Sequence, residues 1–221
     1  MKLRTGRMLV AIVFFVGTLG FSTTAFAKKF MIGLKGGANM ATFVGSDADF
    51  PNTDKKRIVR PTGGAVAAIN IASFGIQPEV LYATRGVKYT STQGDGALIE
   101  RLNYLQIPVL FRFNLSLPGI PITPKLMLGP STSFYLSGEA ETEGQFDRTF
   151  EVKKKDIRSP QYSAIAGAGV DVGLGPGALL VGLRYEQGLG HVLSDEAEKD
   201  AQETTYFNSV IAGHVGYAIG F

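Results

Sequence analysis

Phe207–Asn208–Ser209–Val210–Ile211–Ala212–Gly213–His214–Val215–Gly216–Tyr217–Ala218–Ile219–Gly220–Phe221 is the stretch that decides the fold. Counted back in twos from Phe221, one row reads Phe221, Ile219, Tyr217, Val215, Gly213, Ile211, Ser209 and Phe207. The other row is Gly220, Ala218, Gly216, His214, Ala212, Val210 and Asn208. Side chains alternate across an extended strand, so one face is aromatic and aliphatic while the other is small or polar. The chain runs to an aromatic residue with no polar tail, which fits the closing strand of a barrel with lipid outside and a polar lumen inside.

The other end of the chain agrees with export. Met1–Lys2–Leu3–Arg4–Thr5–Gly6–Arg7 is basic, residues 8–21 are mainly apolar with breaks at Gly17, Thr18 and Gly20, and Ala25–Phe26–Ala27 has the form of a small-residue cleavage site. The apolar run is shorter than the about 20 residues of a membrane-spanning helix. Residues 1–27 are therefore expected to be a cleaved signal peptide and residues 28–221 the exported β-barrel domain. Removing that segment takes Lys2, Arg4 and Arg7 from the 22 basic residues and none from the 19 acidic ones, leaving a formal charge of zero. A basic-surface argument for nucleic acid fails on that count, and no nucleic-acid partner is expected. There is no cysteine, so disulfides, thiolate metal sites and a lipid-modified cysteine are all excluded.

The most apolar internal region, residues 162–183, carries Asp171, Pro176 and repeated glycines, which a spanning helix would not tolerate. Extended segments are expected instead, at residues 29–42, 61–71, 75–90, 102–115, 123–138, 161–174, 178–188 and 206–221. Their connections alternate in length. Residues 72–74, 116–122 and 175–177 are short links, whereas 43–60, 91–101, 139–160 and 189–205 are longer and polar. Short turns on one side and long loops on the other fit an up-and-down barrel threaded through a bilayer. A β-sandwich, the soluble competitor, has no reason to keep that rhythm. The fold class expected is all-β, an eight-stranded antiparallel up-and-down transmembrane β-barrel in the cell outer membrane.

The fourth segment fixes the faces. Leu105, Ile107, Val109, Phe111 and Phe113 form one row, and Tyr104, Gln106, Pro108, Arg112 and Asn114 the other. A slip of one residue would point Arg112 at lipid, at a cost of about 2–4 kcal/mol near the midplane. The seventh segment puts Leu179, Val181, Leu183 and Tyr185 outward and Gly182, Arg184 and Glu186 inward. The third puts Ile76, Val80 and Tyr82 outward and Gln77, Glu79 and Arg85 inward. The second and fifth alternate less cleanly, and bulges are expected at Pro108 and Pro130, which lack a ladder donor. The inward charges are expected to be Lys35, Glu79, Arg85, Arg112, Asp171, Arg184 and Glu186, with His214 nearby. Eight strands leave a lumen that side chains can fill, and unpaired buried charges are costly, so these residues are expected to form a paired network that closes the barrel. A narrow ion or solute path is the alternative.

The chain resembles bacterial outer-membrane β-barrel proteins of the PorT-like, "porin family" type. The resemblance rests on Ile32–Gly33–Leu34–Lys35–Gly36–Gly37–Ala38–Asn39, on Gln77–Pro78–Glu79–Val80–Leu81–Tyr82 with Arg85–Gly86, and on Leu102–Asn103–Tyr104–Leu105–Gln106–Ile107–Pro108. Gly129–Pro130, Gly167–Ala168–Gly169–Val170 and Leu183–Arg184–Tyr185 extend it over nearly the whole chain after the signal. It implies a barrel without a shared catalytic site, and a barrel-assembly signal at Tyr217 and Phe221 read by the assembly machinery.

Other chemistries have thin support. A membrane-embedded lipid-modifying enzyme would need a nucleophile, a base and an orienting carboxylate. The two histidines, His191 beside Ser194 and Asp195 and His214 in the last strand, fall in no catalytic motif. Carboxylates at Asp47, Asp49, Asp195, Glu196 and Asp200 lack cation-loop spacing. Neither a metal nor a cofactor is expected. Lys153–Lys154–Lys155, with Arg148 and Arg158, is a basic run suited to lipopolysaccharide phosphates at the outer surface. The protein is expected to be a monomer among outer-membrane lipids, with a structural, anchoring or surface-interaction role.

Overall fold

The computed structural model describes residues 29–44, 53–91, 96–115, 119–143, 148–152, 157–190 and 207–221. Its strands are β1 (Phe30–Val44), β2 (Thr53–Arg57), β3 (Val59–Ile71), β4 (Phe74–Ser91), β5 (Ala97–Asn114), β6 (Ile122–Glu143), β7 (Arg148–Glu151), β8 (Gln161–Leu174), β9 (Gly177–Gly188) and β10 (Phe207–Gly220). Eight of them close a ring in the order β1–β3–β4–β5–β6–β8–β9–β10, and β10 pairs back onto β1. Every neighbour is antiparallel. Closure leaves no edge strand within the ring, so each backbone donor and acceptor facing the bilayer can be satisfied.

Phe221 sits at the seam. Its N–H donates to the Phe30 carbonyl at 2.9 Å, and the Phe30 N–H returns a bond of 3.1 Å to the Phe221 carbonyl. From there Met31↔Gly220 to Val44↔Phe207 pair without a slip. Phe221, Ile219, Tyr217, Val215 and Ile211 are exposed, while Gly220, Ala218, Ala212 and Val210 are buried. Ser209 departs from its row: it is buried, and its hydroxyl lies 3.3 Å from the Tyr185 hydroxyl.

The faces of β5, β4 and β9 follow the alternation. Ile107, Val109, Phe111 and Phe113 are exposed, against buried Tyr104, Gln106, Leu110, Arg112 and Asn114. An apolar band with aromatic rims results. Phe74 packs on Phe113 at 5.4 Å near the end that carries the short turns, and Tyr82, Tyr162 and Tyr185 are exposed farther up. Eight residues separate Phe74 from Tyr82, roughly 20 Å along the barrel axis at about 3.4 Å per residue and a tilt near 40°. That approaches the height of about 25 Å typical of such a band.

Two expectations require correction. Bulges were expected at Pro108 and Pro130, but the ladder keeps one register from Pro108↔Ser131 to Phe111↔Leu128. The prolines only remove donors. The slip lies instead between Asn103 and Tyr104, where β5 and β6 leave the apolar band. The long connections also hold more strand than their polar composition implies. β5 already starts at Ala97 and β6 runs on to Glu143, and β7 folds back on β6. β2 continues β3 along the same partner, Arg57↔Val87 giving way to Thr62↔Ala83, with one extra residue on the β2–β3 side. Above the bilayer a strand no longer needs a lipid-facing row, so charged pairs such as Arg101–Glu141, 2.8 Å apart, decorate it without harm.

Candidate functional site: the barrel lumen

The lumen is filled in layers, and each layer follows from the inward row of its strands. At the short-turn end, Met31, Val66, Ala68, Ala178, Leu180 and Ala218 make an apolar floor. Beside it the Asn114 amide donates to Asn70 Oδ1 at 3.1 Å. The inward row of β3 is small and apolar here because it faces this floor, which is why its alternation is weak in the sequence.

Above the floor lies a layer of ion pairs. Glu79 on β4 accepts Arg184 from β9 through two bonds of 2.7 and 2.5 Å. It also accepts Lys35 Nζ at 2.6 Å and Gln77 Nε2 at 2.5 Å. Asp171 on β8 is held by Arg112 from β5 and Lys125 from β6. A higher layer is built on Glu186, which accepts Arg85 Nη2, Gln106 Nε2 and Ser163 Oγ, each at 2.7 Å. Arg85 reaches Ser133 as well, at 3.2 Å, and Gln106 reaches Ser131 at 3.1 Å. The bidentate Arg184–Glu79 contact combines charge with fixed geometry.

β4 and β9 stand opposite each other in the ring. Each contributes one acid and one arginine, and the pairs cross: Glu79 to Arg184, Arg85 to Glu186. Two struts thus span the barrel between the same two strands with opposite polarity.

The roof is apolar again. Arg85 lies 4.8 Å from the centroid of the Tyr104 ring, a cation–π distance. Tyr104 meets Tyr135 edge to face at 5.9 Å, and Leu102 and Ile157 complete the cluster with Val152 against it. The Tyr135 hydroxyl donates to the Val152 carbonyl at 2.6 Å, which ties the residue just past β7 to this cluster.

All seven charges named from the sequence are buried: Lys35, Glu79, Arg85, Arg112, Asp171, Arg184 and Glu186. Lys125, buried in the same layer, was missed. Its signal lay in the inward row Lys125, Met127, Gly129, Ser131, Ser133 and Tyr135, which the prolines at 124 and 130 disguise. His214 is half-buried and lines a small cavity with Lys35, Lys125 and Arg184. His191, Ser194, Asp195, Asp47 and Asp49, Glu196 and Asp200, and the run Lys153–Lys154–Lys155 lie outside the described residues, as do residues 1–27. Among the described residues no group of acidic or histidine side chains could hold a metal ion. Tyr217 and Phe221 face outward on the last strand, and the Tyr217 hydroxyl donates to the Leu174 carbonyl at 2.9 Å.

Solved structures share this architecture at low sequence identity. OprG from Pseudomonas aeruginosa, an outer membrane protein, superposes with a TM-score of 0.51 at 12% identity, covering 88% of this chain and 96% of its own. Neisserial surface protein A gives 0.47 at 14% identity, covering 87% and 97%. Ail, the attachment invasion locus protein of Yersinia pestis, in complex with the heparin analogue sucrose octasulfate, gives 0.42 at 12% identity, covering 87% and 99%. No curated protein matches the sequence. The model of the outer membrane protein beta-barrel domain matches residues 21–194, most of the chain and all but the last strand of the barrel. An eight-stranded closed barrel with an outward apolar band and a charged interior, matched over that length, means that the chain belongs to the outer membrane protein beta-barrel domain family.

Proposed function

We propose that this outer-membrane barrel is closed to solutes and serves as a structural anchor whose outer end presents a surface for interaction. The observation that carries the reading is the pair of crossed struts, Glu79–Arg184 and Arg85–Glu186, set between an apolar floor and an aromatic roof. A conducting lumen needs a continuous wet path, and these layers interrupt one at several heights. The extended sheet formed by β2, β4, β5, β6 and β7 rises beyond the apolar band and supplies the surface. Lipopolysaccharide is the natural contact for its basic side chains, Lys56, Arg57 and Arg148 among them. Residues 1–27 act as the export signal, and Tyr217 with Phe221 is read by the assembly machinery. The barrel works as a monomer and carries no catalysis.

Proteoliposome swelling tests the closure. Vesicles holding the refolded protein should swell in small sugars and amino acids no faster than lipid alone. Swelling that increases with the amount of protein, and slows with solute size, would establish the narrow channel instead.

A further inference from the structure

The buried charges of the lumen do not balance. Five are cationic (Lys35, Arg85, Arg112, Lys125 and Arg184) and three are anionic (Glu79, Asp171 and Glu186). Every carboxylate is already shared: Glu79 by Lys35 and Arg184, Asp171 by Arg112 and Lys125, and Glu186 by Arg85 together with Gln106 and Ser163. In the lower layer Lys35, Arg112, Lys125 and Arg184 share two carboxylates, Glu79 and Asp171, so cationic side chains outnumber anionic ones by two there. Isolated charge inside a closed barrel is expensive.

The surplus has a location. A cavity of about 20 Å³ lies beside the lower ion-pair layer, with Lys35, Lys125, Arg184, His214 and Gln77 in its wall. Three of those five are the basic members of the ion pairs just described. His214 Nδ1 is buried without a protein partner and becomes a donor in one tautomer. The space suits one water-sized particle, so phosphate and sulfate are too large for it. Gln77 Oε1, also without a protein partner, opposes an anion, but it sets one amide dipole against three cations.

We propose that this cavity is a binding site for a single monatomic anion, a halide, held by Lys35, Lys125 and Arg184 with His214 as a further donor. A water there would satisfy hydrogen bonds and leave both charges uncompensated. A halide neutralises one of them, accepts from several N–H groups at once, and gives up its hydration more readily than a smaller, harder anion. The inference rests on the reading of the lumen as closed, because an open channel would offer bulk water to the same side chains.

The full barrel crystallised in bromide provides the direct test. An anomalous peak is expected in the cavity between the Lys35 and Lys125 ammonium groups and the Arg184 guanidinium. In solution, unfolding by urea in lipid vesicles is compared in bromide and in gluconate at equal ionic strength. Bromide at about ten times its Kd should raise the folded-to-unfolded ratio about tenfold. Lys125→Met should abolish that dependence by removing a wall charge. Gly182→Val keeps every charge and fills the space, since a Cβ at Gly182 meets nothing closer than the Ala168 carbonyl at 3.3 Å. It should fold and lose the bromide dependence too. A cavity without an anomalous peak, equal stability in the two salts, or an undiminished bromide effect in Gly182→Val each overturns the proposal. Solute swelling together with a bromide peak would instead fault the closed lumen and leave the site standing.

Discussion

Arg184 grips Glu79 through two hydrogen bonds of 2.7 and 2.5 Å, although the two residues are 105 positions apart in the chain. They sit on strands that face each other across the ring, so the contact forms only when the barrel has closed. Its partner strut, Arg85 to Glu186, joins the same strands at 2.7 Å. Ring closure and charge pairing are therefore one event: a barrel short of a strand could not bring these groups together.

Removing the acid of the lower strut should be severe. Glu79→Ala leaves Lys35 and Arg184 buried without their counterion, and breaking a buried pair in this way costs about 3–5 kcal/mol. Urea unfolding in vesicles should show that loss. Replacing Lys35, Glu79 and Arg184 together by methionine should recover a large part of it, because no member of the triad then remains as an unmatched charge.

Face assignment predicts an asymmetry between neighbours. Phe111→Arg places a cation on the lipid side of β5 and should destabilise the inserted barrel by about 2–4 kcal/mol. The adjacent native Arg112 carries the same charge at no such cost, since it is buried against Asp171. Refolding yields into vesicles, compared with Phe111→Leu, measure the difference.

The wall itself has a tight point. A Cβ at Gly129 would lie 2.1 Å from the Val109 carbonyl oxygen, so Gly129→Val must push β5 from β6. It should slow folding and lower the temperature at which the folded band disappears in gel-shift assays. Gly119, whose Cβ would meet nothing within 4 Å, should accept alanine with at most the modest strain of its positive φ.

Deleting Phe221 should reduce assembly into the outer membrane of cells. It removes the two backbone bonds to Phe30 at the seam along with the terminal aromatic. Replacing Phe221 by leucine keeps the bonds and separates the two effects: assembly restored by leucine would assign the loss to the seam, and assembly still impaired would assign it to recognition of the aromatic ring.

The barrel was legible because lipid imposes a rule that water does not. In residues 105–113 and 215–221 every second side chain is apolar and faces outward, and Arg112 allows one register only. Where that pressure ends, legibility ends with it. The tops of β5 and β6 looked like loops because Glu100, Arg101, Glu139 and Glu141 carry no lipid-facing pattern, although backbone pairing continues through them. Lys125 was hidden for a related reason, as Pro124 and Pro130 suggested irregularity in a strand whose inward row is regular. Which charges pair could not be read at all. The partners Glu79 and Arg184 are set by ring position, and alternation along a strand says nothing about what lies across the lumen.

Single-channel recording in planar bilayers tests the closed lumen most directly. The native barrel should stay silent under applied voltage. A variant with both struts cut, Arg184→Ala with Arg85→Ala, should show discrete openings if it inserts. Steady openings from the native protein, altered by replacing Arg112 or Arg184, would contradict the account and identify the charged layers as the selectivity region of a channel.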